Sequence, residues 1–269
     1  METNRGLRVK KETSLNSLRR GFLILETFGV GEDSLSNAEI SARTELPKST
    51  VSRLTSVLCD MGYLLPASAV GGFRIGPRAL RLGYSALASL NIRQRARQPM
   101  QALASRASVS VSLGIRQGID MLYVEQARGA ASLSTRLTVG DRLPIAVSAI
   151  GQAYLSICND GEIAEIAAQL SATEPQLAAD LAKTAAEARK QIAAQGYCLS
   201  MNSWVSGVHA VAAPVLDLDT KTRMAINCGG VAALLSETRM REEIGPALET
   251  LASQISALPP RELIAHFGQ

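Results

Sequence analysis

The sequence predicts an α+β chain of two domains, a small helical front end and a larger sheet-bearing rear. Three observations predict it. At 269 residues the chain is long for one domain, since domains run to roughly 100–200 residues. The apolar period changes at Ser108, from steps of three and four to a step of two. The charge is uneven as well: residues 1–106 hold 16 of the 28 basic side chains but only 8 of the 24 acidic ones. A basic front joined to a slightly acidic rear suits a chain that meets a polyanion at one end.

Composition excludes several classes. With 46% hydrophobic and 19% charged residues the chain has material for a core and is not disordered. No stretch reaches the ~18 apolar residues of a membrane span. Residues 1–11 are polar and charged, so no secretory leader is expected. Cys59, Cys158, Cys198 and Cys228 are widely spaced without a CxxC pair, which fits reduced thiols in a cytoplasmic protein. The two histidines, His209 and His266, make a poor metal site, so neither metal nor cofactor is expected.

The first helix is read from Leu15, Leu18, Phe22, Leu25 and Phe28, one apolar stripe. A second opens at Ser36, where Ser36 and Glu39 have capping-box spacing and Leu35 and Ile40 stand at the staple positions. It ends near Thr44. Pro47 suits the first turn of a third helix, whose Val51, Leu54 and Leu58 share one face. The other face shows Lys48, Ser49, Thr50, Ser52, Arg53 and Ser56. Two short helices joined by a tight turn, the second small, hydroxyl-rich and basic outside, describe a helix-turn-helix. Hydroxyls and first-turn N–H groups can bind phosphate, and Arg53, a turn further in, can reach a guanine edge. Two short strands around Gly71-Gly72 then read as a wing carrying Arg74.

Residues 79–107 read as one linker helix with Pro99 as a kink or restart. Beyond it, Val109–Leu113, Met121–Val124 and Leu133–Leu137 alternate as an antiparallel meander. Helices follow over Ser148–Ile157, Ile163–Leu170 and Leu177–Ala194. Strands resume at Tyr197–Met201, Val208–Leu216 and Met224–Cys228, and a last helix covers about Glu237 to Leu258. Such a sheet can cover a small cavity.

Several stretches carry a resemblance. Ser17–Phe28, Leu35–Ser41, Leu46–Leu54, Gly62–Leu64 and Phe73–Arg78 resemble, in order and spacing, the N-terminal domain of IclR-family transcriptional regulators. Gly140–Ala153 and Gly207–Val215, with Asp217 just after, resemble the family's effector domain, which is similar to the GAF fold. The resemblance implies a winged helix-turn-helix DNA-binding domain over 14–78, a linker helix over 79–107 and a GAF-like effector-binding domain over 108–258. It implies a double-stranded operator as partner, a homodimer or homotetramer, and a small metabolite as effector. Family effectors are often carboxylates, including aromatic acids and short keto acids. Candidate DNA contacts are Ser36, Lys48, Ser49, Thr50, Ser52, Arg53, Ser56 and Arg74. Candidate effector contacts, carried over by position, are Leu143, Ala149, Ile150, Ser200, Ala210, Asn227 and Gly229. The N–H groups opening the Ser148 helix suit a carboxylate; Arg136, Arg142 and Arg223 are weaker candidates. The chain departs from the family pattern at Ser203, Leu216 and Asn227-Cys228-Gly229.

An enzymatic rear domain is the alternative, with Cys228 and His209 as a nucleophile pair. A lone cysteine in an apolar strand is more often a small buried hydrophobe, and no Walker, GxSxG, HExxH or GxGxxG motif occurs. The expectation is therefore no catalytic residue.

Overall fold

The computed structural model describes residues 16–67, 71–129 and 137–267. They form two compact units that meet in sequence at Ser89 and Leu90. The first unit holds helices α1 (residues 16–26), α2 (Asn37–Thr44) and α3 (Lys48–Asp60). Strands β1 (Leu64–Pro66) and β2 (Phe73–Ile75) and helix α4 (Pro77–Ala88) follow.

Local chemistry explains these elements. Ser36 Oγ accepts from the Glu39 N–H at 3.2 Å while the Ser36 N–H donates to Glu39 at 2.7 Å, so two helix-end donors are satisfied reciprocally. Glu45 turns left-handed at φ 57° and ends α2, and Pro47 stands as the residue before α3. Ile24, Ile40, Val51, Leu54, Leu58 and Leu64 close around one core. Leu35 exchanges two backbone hydrogen bonds with Phe73, at 2.8 and 2.9 Å, which ties the hairpin to the start of α2. Arg43 forks onto Glu32 at 2.7 and 2.8 Å and also donates to the Thr27 carbonyl. The guanidinium holds the Glu32 carboxyl down at about 2.

Two sequence expectations change here. Ile24, off the predicted stripe, is the buried residue of α1; of the stripe itself Leu25 and Phe28 pack against the same core, Leu18 and Phe22 lie exposed, and Leu15 lies outside the described residues. The linker is two helices, α4 and α5 (Asn91–Ala107), and Pro99 sits inside α5 without ending it. The break falls where burial changes. No residue of α4 is buried, whereas α5 buries Ile92, Ala96, Met100, Leu103, Ala104 and Ala107.

The second unit is built on a six-stranded antiparallel sheet in the order β5-β4-β3-β8-β7-β6. Its strands are β3 (Ser110–Gln117), β4 (Asp120–Arg128), β5 (Arg142–Pro144), β6 (Cys198–Met201), β7 (Val208–Leu216) and β8 (Arg223–Val231). Helix α6 (Ala149–Leu155) packs on one face, backed by α8 (Pro175–Gln195), which packs on α7 (Asp160–Leu170). Helix α5 packs on β3 and β4, while α10 (Gly245–Ile255) packs on β7 and β8. A short α9 (Glu237–Arg239) and a π-turn over Met240–Ile244 lead into α10. A final helix, α11 (Pro260–Phe267), was not legible in the sequence; its Leu263 buries against Ile157 and Leu216. Strand β5, paired with β4, was also unexpected, and of the run Leu133–Leu137 only Leu137 lies among the described residues. Among the described residues no helix is long and apolar enough to cross a membrane.

Candidate nucleic-acid interface and ligand cavity

On α3, Val51, Leu54, Thr55 and Leu58 face the core, and Thr55 returns its hydroxyl to the Val51 carbonyl at 2.9 Å. That orientation leaves Lys48, Ser49, Ser52, Arg53 and Ser56 exposed and Thr50 half-buried. No acidic side chain occupies the first turn, so the positive helix end is uncompensated. The face therefore offers N–H groups, hydroxyls and one ammonium at its start, with a guanidinium one turn in. Arg74 is exposed on β2 of the hairpin. Ser36 stands apart from this group. It opens α2, and its hydroxyl already accepts the cap hydrogen bond.

The same unit carries unpartnered apolar surface. On α4, Leu80 and Tyr84 are each 71% exposed and Leu82 is exposed beside them; on α1, Leu18, Phe22 and Leu23 are exposed.

The second unit holds a partly open cavity between α6 and the sheet. One ladder row crosses four strands as Ser110, Gly229, Ala210 and Ser200. Glycine and alanine at its centre leave the hollow that larger side chains would fill. The next row sets Ser112 opposite Asn227. A β-bulge completes the lining: Leu113 faces Glu125 while Gly114 faces Tyr123, so Val124 is extra. With that extra residue, Tyr123 and Gln126 share the cavity face although they stand three apart. Leu143 comes from β5, Ala149 and Ile150 from α6, and Trp204 from the loop after β6. That loop is pinned by the Gly207 N–H donating to Asn202 Oδ1 at 2.8 Å. The free space is about 40 Å³, room for roughly three waters at ~10–15 Å³ each.

All seven residues carried over by position, Leu143, Ala149, Ile150, Ser200, Ala210, Asn227 and Gly229, line this one cavity. Sequence reasoning missed most of the polar lining, Ser110, Ser112, Tyr123 and Gln126, and also Trp204. Two of these left a signal, because Ser110 and Ser112 put two hydroxyls on one face of an otherwise apolar strand. Of the departures from the family pattern, Ser203 is exposed and Leu216 packs on Ile157 and Leu263, so neither lines the cavity. The short α6 is largely capped by its own turn: Ser148 Oγ accepts from Gly151 N–H at 3.2 Å and donates to the Pro144 carbonyl at 2.7 Å. Arg223 pairs with Glu162 and donates to the Ile157 carbonyl, and Arg142 is exposed; neither lines the cavity. Arg136 lies outside the described residues.

Burial pushes the Tyr123 hydroxyl up to about 12, partly offset by hydrogen bonds from Asn227 and Ser112, so it is a neutral phenol. Burial also raises the thiols, Cys158 to about 11, Cys198 to about 12 and Cys228 higher still. Since Asn227 and Gly229 face the cavity, Cys228 between them faces the other side of the sheet. The His209 ring is held by the Leu235 carbonyl at 2.7 Å from Nδ1. The suspected nucleophile pair therefore does not meet in the cavity.

A winged helix-turn-helix joined to a separate cavity-bearing sheet unit defines a two-part DNA-binding regulator. Residues 17–66 match the IclR helix-turn-helix domain, and residues 84–257 match the C-terminal domain of bacterial IclR transcriptional regulators. The chain belongs to the IclR family of DNA-binding transcriptional regulators. It is 29% identical over 245 residues to the HTH-type transcriptional regulator TsaQ1/TsaQ2 of Comamonas testosteroni, covering 90% of this chain and 88% of the relative. An IclR-family regulator from Brucella abortus matches with a TM-score of 0.76 and 33% identity over 89% of this chain and 90% of that one. An IclR homologue from Microbacterium hydrocarbonoxydans, solved with 4-hydroxybenzoate, shares the fold at a TM-score of 0.70 and 21% identity, covering 93% and 99% of the two chains.

Proposed function

We propose that residues 14–78 bind a palindromic operator as part of a homodimer, that 79–107 link the halves, and that 108–258 bind a small carboxylate which alters operator affinity. The observation that carries this reading is the convergence of the seven family effector positions on one cavity. The homologue solved with 4-hydroxybenzoate supports an acid as the ligand class. The Cys228 thiol, buried on the sheet face away from the cavity and raised by that burial, supports binding without turnover. DNA contacts are assigned to Lys48, Ser49, Thr50, Ser52, Arg53 and Ser56 on α3, with Arg74 on the hairpin and Ser36 at the α2 end.

One short recognition helix reads too few bases alone, and the exposed apolar residues of α4 support its side of the dimer contact. Leu80→Glu combined with Tyr84→Glu is expected to give a monomer in sedimentation and to weaken operator binding. A dimer that survives both changes would move the interface elsewhere.

Regulation requires reciprocal coupling, typically ~1–3 kcal/mol. A thermal-shift screen of carboxylic acids identifies a ligand, since binding to the native state raises apparent stability. Calorimetry of that acid with and without operator duplex should then show that each changes the other's affinity by the same factor and in the same direction. Equal acid affinity in both cases would leave a binding site but no switch.

A further inference from the structure

Asn227 is 6% exposed and lines the cavity, and its Oδ1 is buried with no hydrogen-bond partner. The amide groups near it are directed elsewhere. Its own amide donates to the Tyr123 hydroxyl, and Gln126 Nε2 donates to Ser112 Oγ at 3.3 Å. An unmet buried carbonyl is costly, enough to move an equilibrium by roughly five- to a hundredfold. Whatever occupies the cavity beside Asn227 must therefore supply a donor. A water can do so, and a ligand that displaces the water without replacing its hydrogen bond loses affinity.

The donor's chemistry is narrowed by the walls. Among the described lining residues there is no charged side chain, so an ammonium would be buried without a counter-charge. A hydroxyl needs none, and a carboxylate can accept hydrogen bonds from the hydroxyl and indole donors of the lining, such as Ser200 and Trp204. The free volume of about 40 Å³ restricts the ligand to a short one unless Trp204 moves. We infer that the effector presents a hydroxyl to Asn227 Oδ1, which makes its class a short hydroxy acid and not the matching keto acid or unsubstituted acid. This rests on the reading of the cavity as the effector site.

The chain has a single tryptophan, and it lines the cavity, so its fluorescence reports occupancy of the full-length protein directly. Four probes of equal carbon number separate the possibilities: lactate (both enantiomers), pyruvate, propionate and propane-1,2-diol, titrated against fluorescence and melting temperature. One lactate enantiomer should bind at least about tenfold tighter than pyruvate or propionate. Asn227→Leu, similar in size but without an acceptor, should erase that preference. The comparison among ligands on the unaltered protein stands whether or not the variant folds.

Pyruvate or propionate binding as tightly as lactate would overturn the donor requirement and leave the carboxylate reading intact. So would a lactate preference that persists in Asn227→Leu. A response to the diol with none to any acid would support the hydroxyl contact and overturn the carboxylate. Silence from all four probes overturns the inference, and silence from the wider acid panel as well overturns the effector reading beneath it.

Discussion

Arg53→Ala is expected to weaken operator binding by about 1–3 kcal/mol and to relax base preference at one position of each half-site. The side chain is exposed on α3, one turn beyond the helix start, with the core contacts of Val51 and Leu54 on the far side. Its removal therefore costs the fold little, and a loss of affinity reports on DNA. A guanidinium accepted by guanine O6 and N7 specifies a base; an ammonium on phosphate does not. Lys48→Ala should accordingly weaken all duplexes alike and reduce the salt slope by about one. Fluorescence anisotropy on an operator series, repeated at several salt concentrations, separates the two effects. An Arg53→Ala protein with unchanged affinity and base preference would place the reading head elsewhere.

What was legible in the sequence is what local chemistry determines. The Ser36–Glu39 box, Pro47 before α3 and the glycine-rich hairpin each signal through neighbours in the chain, and each stands in the structure. The apolar period separated α3's inner and outer faces for the same reason. Long-range pairing left no such signal. Nothing near β3 or β8 announces that Ser112 stands opposite Asn227, yet that register builds the cavity. The bulge at Val124 reverses the side on which Gln126 emerges, so alternation misassigns it. In α1, Leu18 and Phe22 obey the helical period and still face outward, because periodicity reveals an apolar face but not what covers it. The cavity positions themselves came from the family pattern, which carries three-dimensional information that one chain's spacing lacks.

Gly151→Ala is expected to destabilise the second unit by about 3 kcal/mol or more, and the effect is one of space and not of backbone conformation. A Cβ at Gly151 would lie 2.1 Å from the Ile145 carbonyl oxygen and 2.6 Å from its carbon. Both are backbone atoms, so no rotamer change relieves the clash. The Ile145 backbone is itself held, its N–H donating to the Ile119 carbonyl at 3.0 Å. The Ser148 hydroxyl bridges the Gly151 N–H and the Pro144 carbonyl, so the turn over 144–148 and the start of α6 move only together. They carry Ala149 and Ile150 in the cavity wall, and effector binding should fail along with stability. For a unit of this size the melting temperature should fall by roughly 6–12 °C, at about 2–4 °C per kcal/mol. Gly21→Ala provides the contrast, since a Cβ there meets nothing within 4 Å and α1 gains helix propensity, stabilising by about 0.5–1 kcal/mol. Scanning calorimetry on the full-length variants tests both signs. A Gly151→Ala protein that melts with the parent would mean that the turn from Ile145 to Gly151 yields at no cost, and the close seating of α6 on the sheet would lose its explanation.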